Sequence, residues 1–140
     1  MTAQDELAAI FRRSMDAYSR GDFDAALVDF DPEVEWIVHL SLAPDATTYH
    51  GHEGVKRFWG TWADAISGME LDVEECRLVG EGRVLAIVRA LGRGAGSGAP
   101  VESPRFGQIA DFRDGRIVRV QLFGSVAPAL QAAKSQPATG

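Results

Sequence analysis

The sequence predicts an α+β domain, with helices on one side of an antiparallel sheet that twists into a cone with a mouth. Three observations predict it. Helical and β-rich stretches follow the order helix, helix, strand, helix, then four strands. Helices bunched ahead of hairpin-linked strands imply segregated layers. Next, Asp114-Gly115 separates two alternating runs in RFGQIADFRDGRIVRVQLF. That dipeptide favours a two-residue hairpin, because both turn positions need φ > 0. Finally, one side of that hairpin is aliphatic. The other mixes aromatic, amide and guanidinium groups, as the wall of a wet cavity does.

The elements follow in order. Thr2 and Asp5 form a weak capping box, and Leu7, Ile10, Phe11, Ser14, Ala17 and Tyr18 recur at helical spacing to about Arg20. Gly21 stops that helix. Asp22 caps a short second one, with Phe23, Ala26, Leu27 and Phe30 as its inner face and Pro32 as its end. Val34 to Leu40 is β-rich, and SLAPDATTYHGHEG is loop-like. A third helix opens near Glu53, with Val55, Phe58, Trp59, Trp62 and Ile66 on one face, and Gly68 ends it. Met69 to Val79 and Val84 to Leu91 read as strands around a Gly80-Glu81-Gly82 turn, and GRGAGSGAP as a flexible connection to the hairpin. Ala127 to Ala133 forms a short terminal helix.

Alternation puts Gln108, Ala110 and Phe112 on one face of the first hairpin strand and Ile109 and Asp111 on the other. Along the second strand, Arg119, Gln121 and Phe123 are assigned to the cavity side. Val118, Val120 and Leu122 are assigned to the aliphatic outer side. With no helix left to cover them, those three predict a homodimer through the sheet.

With 140 residues, 1–133 reads as one domain and 134–140 as a frayed tail. The net charge of −6 and the absence of a basic stripe argue against nucleic-acid and anionic-membrane partners. Cys76 is the sole cysteine and lies in a strand-like run, so it reads as a structural thiol in a reducing compartment. Neither a signal peptide nor an apolar span of about 20 residues is seen, giving an expected cytoplasmic location.

RGDFDAAL, VEW, TYHGHEGVKRFWGTW, GRGAGSG and DFRDGRIVRVQLF occur in an order that resembles the nuclear-transport-factor-2-like superfamily. Within it, the likeness is to the SnoaL-like (polyketide cyclase-like) domains, over roughly Glu6 to Ala133. The resemblance implies a cone-shaped, curved antiparallel or mixed sheet, with three N-terminal-half helices on its concave side. It also implies a deep pocket and a homodimer. Activities across the superfamily run from isomerases, cyclases, dehydratases and epoxide hydrolases to non-catalytic binders, so the fold alone does not assign one.

Arg89 shares a face with Leu85, Ile87 and Leu91 in VLAIVRAL, and the resemblance turns that face toward the cavity. A buried guanidinium needs an acceptor. The two readings are an anion or enolate clamp, as epoxide-hydrolase relatives use, and an ion pair with Glu102. Gln108, Arg119 and Gln121 suit a ligand carbonyl or hydroxyl. Trp36, Trp59 and Phe123 suit its flat walls, while Trp62 reads as core. Tyr49 and His50 are candidates for the mouth, and His39 for a general base. Asp111 is the nearest match to the acid/base aspartate that SnoaL-type cyclases use, although alternation points it away from Gln108. The roles of a ketosteroid isomerase fall on Ser14, Val38 and Ala110, which cannot fill them. His50-Gly-His52-Glu53 has metal-like spacing but no further partner, and Gly92 to Gly98 has no phosphate-loop pattern, so no metal or cofactor is expected. The expected function is binding of a small, partly apolar ligand with a carbonyl or anionic group. Cofactor-free acid–base catalysis by Arg89, His39 or Asp111 would accompany it. The alternative is a non-catalytic binding or dimeric interaction module.

Overall fold

A computed structural model describes residues 3–39 and 47–134. The elements are α1 (Ala3–Ser19), α2 (Phe23–Ala26), β1 (Phe30–His39), β2 (Thr47–His50), α3 (Gly51–Ala65), β3 (Ile66–Gly80), β4 (Arg83–Gly94), β5 (Pro100–Glu102), β6 (Phe106–Arg113), β7 (Arg116–Phe123) and α4 (Val126–Lys134). Thr2, most of the loop after His39 and residues 135–140 lie outside the described residues.

The sheet runs β2-β1-β7-β6-β4-β3, with β5 added beside β4. Among the described strands only β1 and β7 pair in parallel, so the sheet is mixed. Its inner face packs on α1, α2 and α3 through Phe11, Leu27, Trp36, Phe58, Val84, Ala86, Ala110 and Val120. Its outer face is covered in part by α4, through Leu85, Ile87, Ile109, Phe123 and Ala129. The fold is the α+β arrangement expected.

Local signals account for most boundaries. Asp22 accepts a hydrogen bond from the Ala25 amide and opens α2. Asp114 and Gly115 have φ of +54° and +76°, which closes β6 onto β7 in two residues. Gly107 lets α4 approach β6, since a Cβ there would lie 2.2 Å from the Ala129 Cβ. Cys76 is half-buried, with its thiol 3.4 Å from the Ala8 carbonyl, and burial pushes its pKa up.

Several expectations need correction. Pro32 lies inside β1, beside a register shift between Phe30 and Glu35. Thr47–His50 is a strand paired with β1, not loop. Helix α3 runs into β3 with no connection, so Ile66 and Gly68 belong to the strand. The glycine-rich connection shrinks to a turn, because β4 continues to Gly94 and pairs with β5.

The largest correction concerns faces. A second register shift falls between Asp111 and Phe112 of β6, opposite Val118. Phe112 pairs with Ile117, but Asp111 pairs with Arg119, Ala110 with Val120 and Gln108 with Leu122. One extra residue in a strand exchanges the faces of everything beyond it. Val120 and Leu122 therefore face inward with Ala110 and Gln108, while Arg119 and Gln121 face outward with Asp111 and Ile109. Val120 is fully buried and Leu122 packs on the inner core. These side chains are thus spent inside the fold and are not the free aliphatic face given as the reason for a dimer. The same parity holds on β4, where Val84 pairs with Ala110 and Ala86 with Gln108. Leu85, Ile87 and Arg89 then belong to the outer face.

Candidate functional site

A cavity of about 220 Å³ opens between the inner face of the sheet and the helices. From α1 come Phe11, Ser14, Met15 and Tyr18, and from α3 Phe58, Trp59 and Trp62. Trp36 lies on β1, Met69 and Leu71 on β3, Phe106 and Gln108 on β6, and Leu122 and Phe123 on β7. The β4–β5 end adds Ala90 to Gly92, Val101, Ser103 and Pro104.

Aromatic contacts set the rings. Trp36 stands edge-on to Trp59, with centroids 5.6 Å apart at 90°, and lies over Phe30 at 6.4 Å. Tyr18 stacks on Phe23 at 5.5 Å and meets Trp59 edge-on at 5.2 Å. Such pairs hold one another in place beyond what burial alone gives. Trp62 is 41% exposed at the rim and is not the core residue expected.

Few polar groups face this wall. The Ser14 hydroxyl donates to the Ala26 carbonyl at 2.7 Å. Ser103 Oγ accepts from the Ala90 amide at 2.9 Å and donates to the Pro104 carbonyl at 2.8 Å. Tyr18 donates to the Met69 sulfur at 3.1 Å, and burial pushes its hydroxyl up to about 12, so it stays protonated. Gln108 is only 5% exposed, and its amide hydrogen-bonds no described residue. The indole N–H of Trp36 is likewise buried without an oxygen or nitrogen partner. Tyr18 apart, no described lining residue is titratable.

The residues chosen from sequence divide sharply. Trp36, Trp59 and Gln108 line the cavity from the inner face, Phe123 borders it at the end of β7 while packing in the outer cluster with Ala129, and the others do not reach it. Arg89 lies on the outer face, with side-chain exposure of 37%. It pairs with Glu102, and Asp72 and Glu74 are each 3.5 Å away. The reading of it as facing the pocket fails, because Arg89 follows the outward parity of Leu85 and Ile87 and meets its carboxylate partners there. Asp111 also faces outward, and accepts from Arg83 at 2.6 and 3.2 Å. Arg119 approaches Glu35 at 3.6 Å on that same face. His39 stacks on Phe123 at 4.8 Å, and its Nε2 lies 3.0 Å from the Gln121 amide oxygen. Tyr49 packs on Phe58 from outside the lining, and His50 is exposed at the N-cap of α3 with no side-chain capping bond. His52 reaches the Phe30 carbonyl at 2.9 Å. Among the described residues, no three His, Cys, Asp or Glu side chains cluster as metal ligands would.

Tyr18 and Met69 escaped the sequence reading as site residues. The available signal was a hydroxyl at Ser14 and again at Tyr18, on an otherwise apolar stripe of α1. A polar group there has to be satisfied across a core or a cavity.

A mixed sheet wrapped on three helices around an apolar cavity defines the nuclear-transport-factor-2-like and cystatin-like class of α+β domains. Within it, residues 11–120 match the SnoaL-like domain, and the chain belongs to that family. An NTF2-like protein of unknown function from Burkholderia pseudomallei K96243 superposes with a TM-score of 0.71 at 22% identity, over 96% of this chain and 100% of that one. A protein from Jannaschia sp. CCS1, described as a SnoaL-like polyketide cyclase, gives 0.73 at 18% identity, over 98% and 97%. TerC, co-crystallised with polyporic acid, gives 0.71 at 20% identity, over 92% and 98%. At these identities the likeness is one of fold. A comparison with curated proteins finds no match.

Proposed function

We propose that this SnoaL-like domain is a binding protein for a small, flat, neutral and largely apolar molecule carrying at least one carbonyl or hydroxyl oxygen. The Gln108 amide carries the reading: it lines the cavity, no described residue hydrogen-bonds it, and it is left to a bound molecule as both donor and acceptor. Aromatic walls supply the remainder by burial. A charged ligand is disfavoured, since Arg89 and Arg119 lie on the other side of the sheet.

Acid–base catalysis by Arg89, His39 or Asp111 finds no support, because none of them lines the cavity. The non-catalytic alternative is the one the geometry favours. A second copy docking on the sheet would use the outer strip of Glu35, Ile37, Arg119 and Gln121 beside α4, and light scattering tests it. Among the described residues, no helix is long and apolar enough to cross a membrane.

Native mass spectrometry of freshly purified protein tests the binding reading. Retention of one small neutral molecule is expected, and its loss in a Gln108→Leu variant that still folds. Retention of an anionic molecule that survives this substitution would overturn it.

A further inference from the structure

The geometry points to Tyr18 as the residue that selects a carbonyl oxygen in the bound molecule, with the Met69 sulfur as the partner it gives up. The inference rests on the proposed pocket and adds the chemistry that discriminates within it.

Tyr18 and Met69 both line the cavity, and their hydrogen bond spans 3.1 Å. A thioether is a weak acceptor. The phenol is not free to search for a better one. Its ring is stacked on Phe23 at an interplanar angle of 13° and meets Trp59 at 73°, so α2 and α3 fix where the hydroxyl points. Met69 is the adaptable half. It lies in β3 within a register shift between Ser67 and Glu70, just after Gly68 at φ +62°. Its unbranched side chain repacks at little cost. A rigid donor paired with a yielding, weak acceptor suits exchange. An incoming carbonyl takes the hydroxyl, and the sulfur returns to apolar packing.

The donor also keeps its proton. Burial holds the Tyr18 hydroxyl protonated to about pH 12, so it donates throughout the ordinary range. Gln108, on β6, offers both a donor and an acceptor from the sheet wall. The two together favour a neutral aromatic ketone over a hydrocarbon of the same shape.

The test uses 2-acetylnaphthalene and 2-ethylnaphthalene, which differ mainly in carbonyl oxygen against methylene. Binding is read by quenching of tryptophan fluorescence. The carbonyl stretch of the bound ketone is read by infrared difference spectroscopy. The whole protein is expected to prefer the ketone by about tenfold, the worth of one well-made hydrogen bond. In Tyr18→Phe the preference disappears, the hydrocarbon binds as before, and the carbonyl stretch moves back toward its value in an apolar solvent. In Met69→Leu the preference is retained or grows, because the hydroxyl has lost its internal partner. If both probes bind and Tyr18→Phe leaves the preference and the stretch unchanged, the role of Tyr18 is overturned and the pocket stands. If neither probe binds the unaltered protein, the binding proposal falls, and this inference with it.

Discussion

Asp111 and Arg83 form a two-pronged ion pair on the outer face of the sheet, Nε to Oδ1 at 2.6 Å and Nη2 to Oδ2 at 3.2 Å, with side chains only 16% and 6% exposed. The same guanidinium reaches the Ala132 carbonyl at 3.4 Å, near the C-terminal end of α4. Carbonyls there lack helical partners and carry the negative end of the helix dipole, so the cation serves as a cap.

Removing the acid leaves that cation buried and unpaired. Asp111→Ala is expected to cost roughly 3 kcal/mol, in the range for a broken buried pair. Urea denaturation reads the loss, and hydrogen exchange should show α4 opening first. Ligand retention by the folded fraction should not change. Loss of binding at unchanged stability would show that Asp111 acts at the site.

Gln108→Leu should change stability by less than about 1 kcal/mol, because the amide has no described protein partner to lose and the replacement is apolar and of similar size. Ligand retention should fall. A clear drop in the urea midpoint would mean that the amide has a structural partner.

Arg89→Met should shift stability by less than about 1 kcal/mol, as expected for a half-exposed ion-pair cluster. It should leave binding intact. Chemical denaturation and ligand retention, measured side by side, decide it.

Tyr18 predicts an alkaline limit to stability. Its pKa is raised from 10.0 to about 12 by burial, so the unfolded chain releases this proton first. The stabilisation is complete below pH 10 and is lost as pH rises from 10 toward 12. A late phenolate step in an ultraviolet absorbance titration, missing from Tyr18→Phe, would confirm it. A titration in which Tyr18→Phe removes an ordinary early step would refute it.

Order and hairpin were legible in the chain because they depend on neighbours. Asp22 caps the residues beside it, and Asp114-Gly115 needs only its own positive φ angles. The pocket was half legible for a related reason. Trp36, Trp59 and Gln108 follow from local periodicity, and all three line the cavity. Arg119 and Gln121 fall on the wrong face in a count by twos, because Val118 is unpaired and breaks the count. No residue type announces such a break, since Ile117-Val118-Arg119 reads as unbroken strand. The face of Arg89 is not legible locally, because it depends on how β4 pairs with β6, a contact between residues far apart in sequence. Tyr49 and His50 were missed as strand because β2 has only four residues.

The extra residue at Val118 also gives the last hairpin one residue of slack. Losing that codon would leave Ile117 opposite Phe112 and Arg119 opposite Asp111 with nothing between them, so plain alternation would keep Val120 and Leu122 in the cavity wall and Arg119 and Gln121 outside it. Among chains of this architecture, this hairpin can therefore shorten by one residue without altering the chamber, and new ligand chemistry has to come from substitutions in the wall itself.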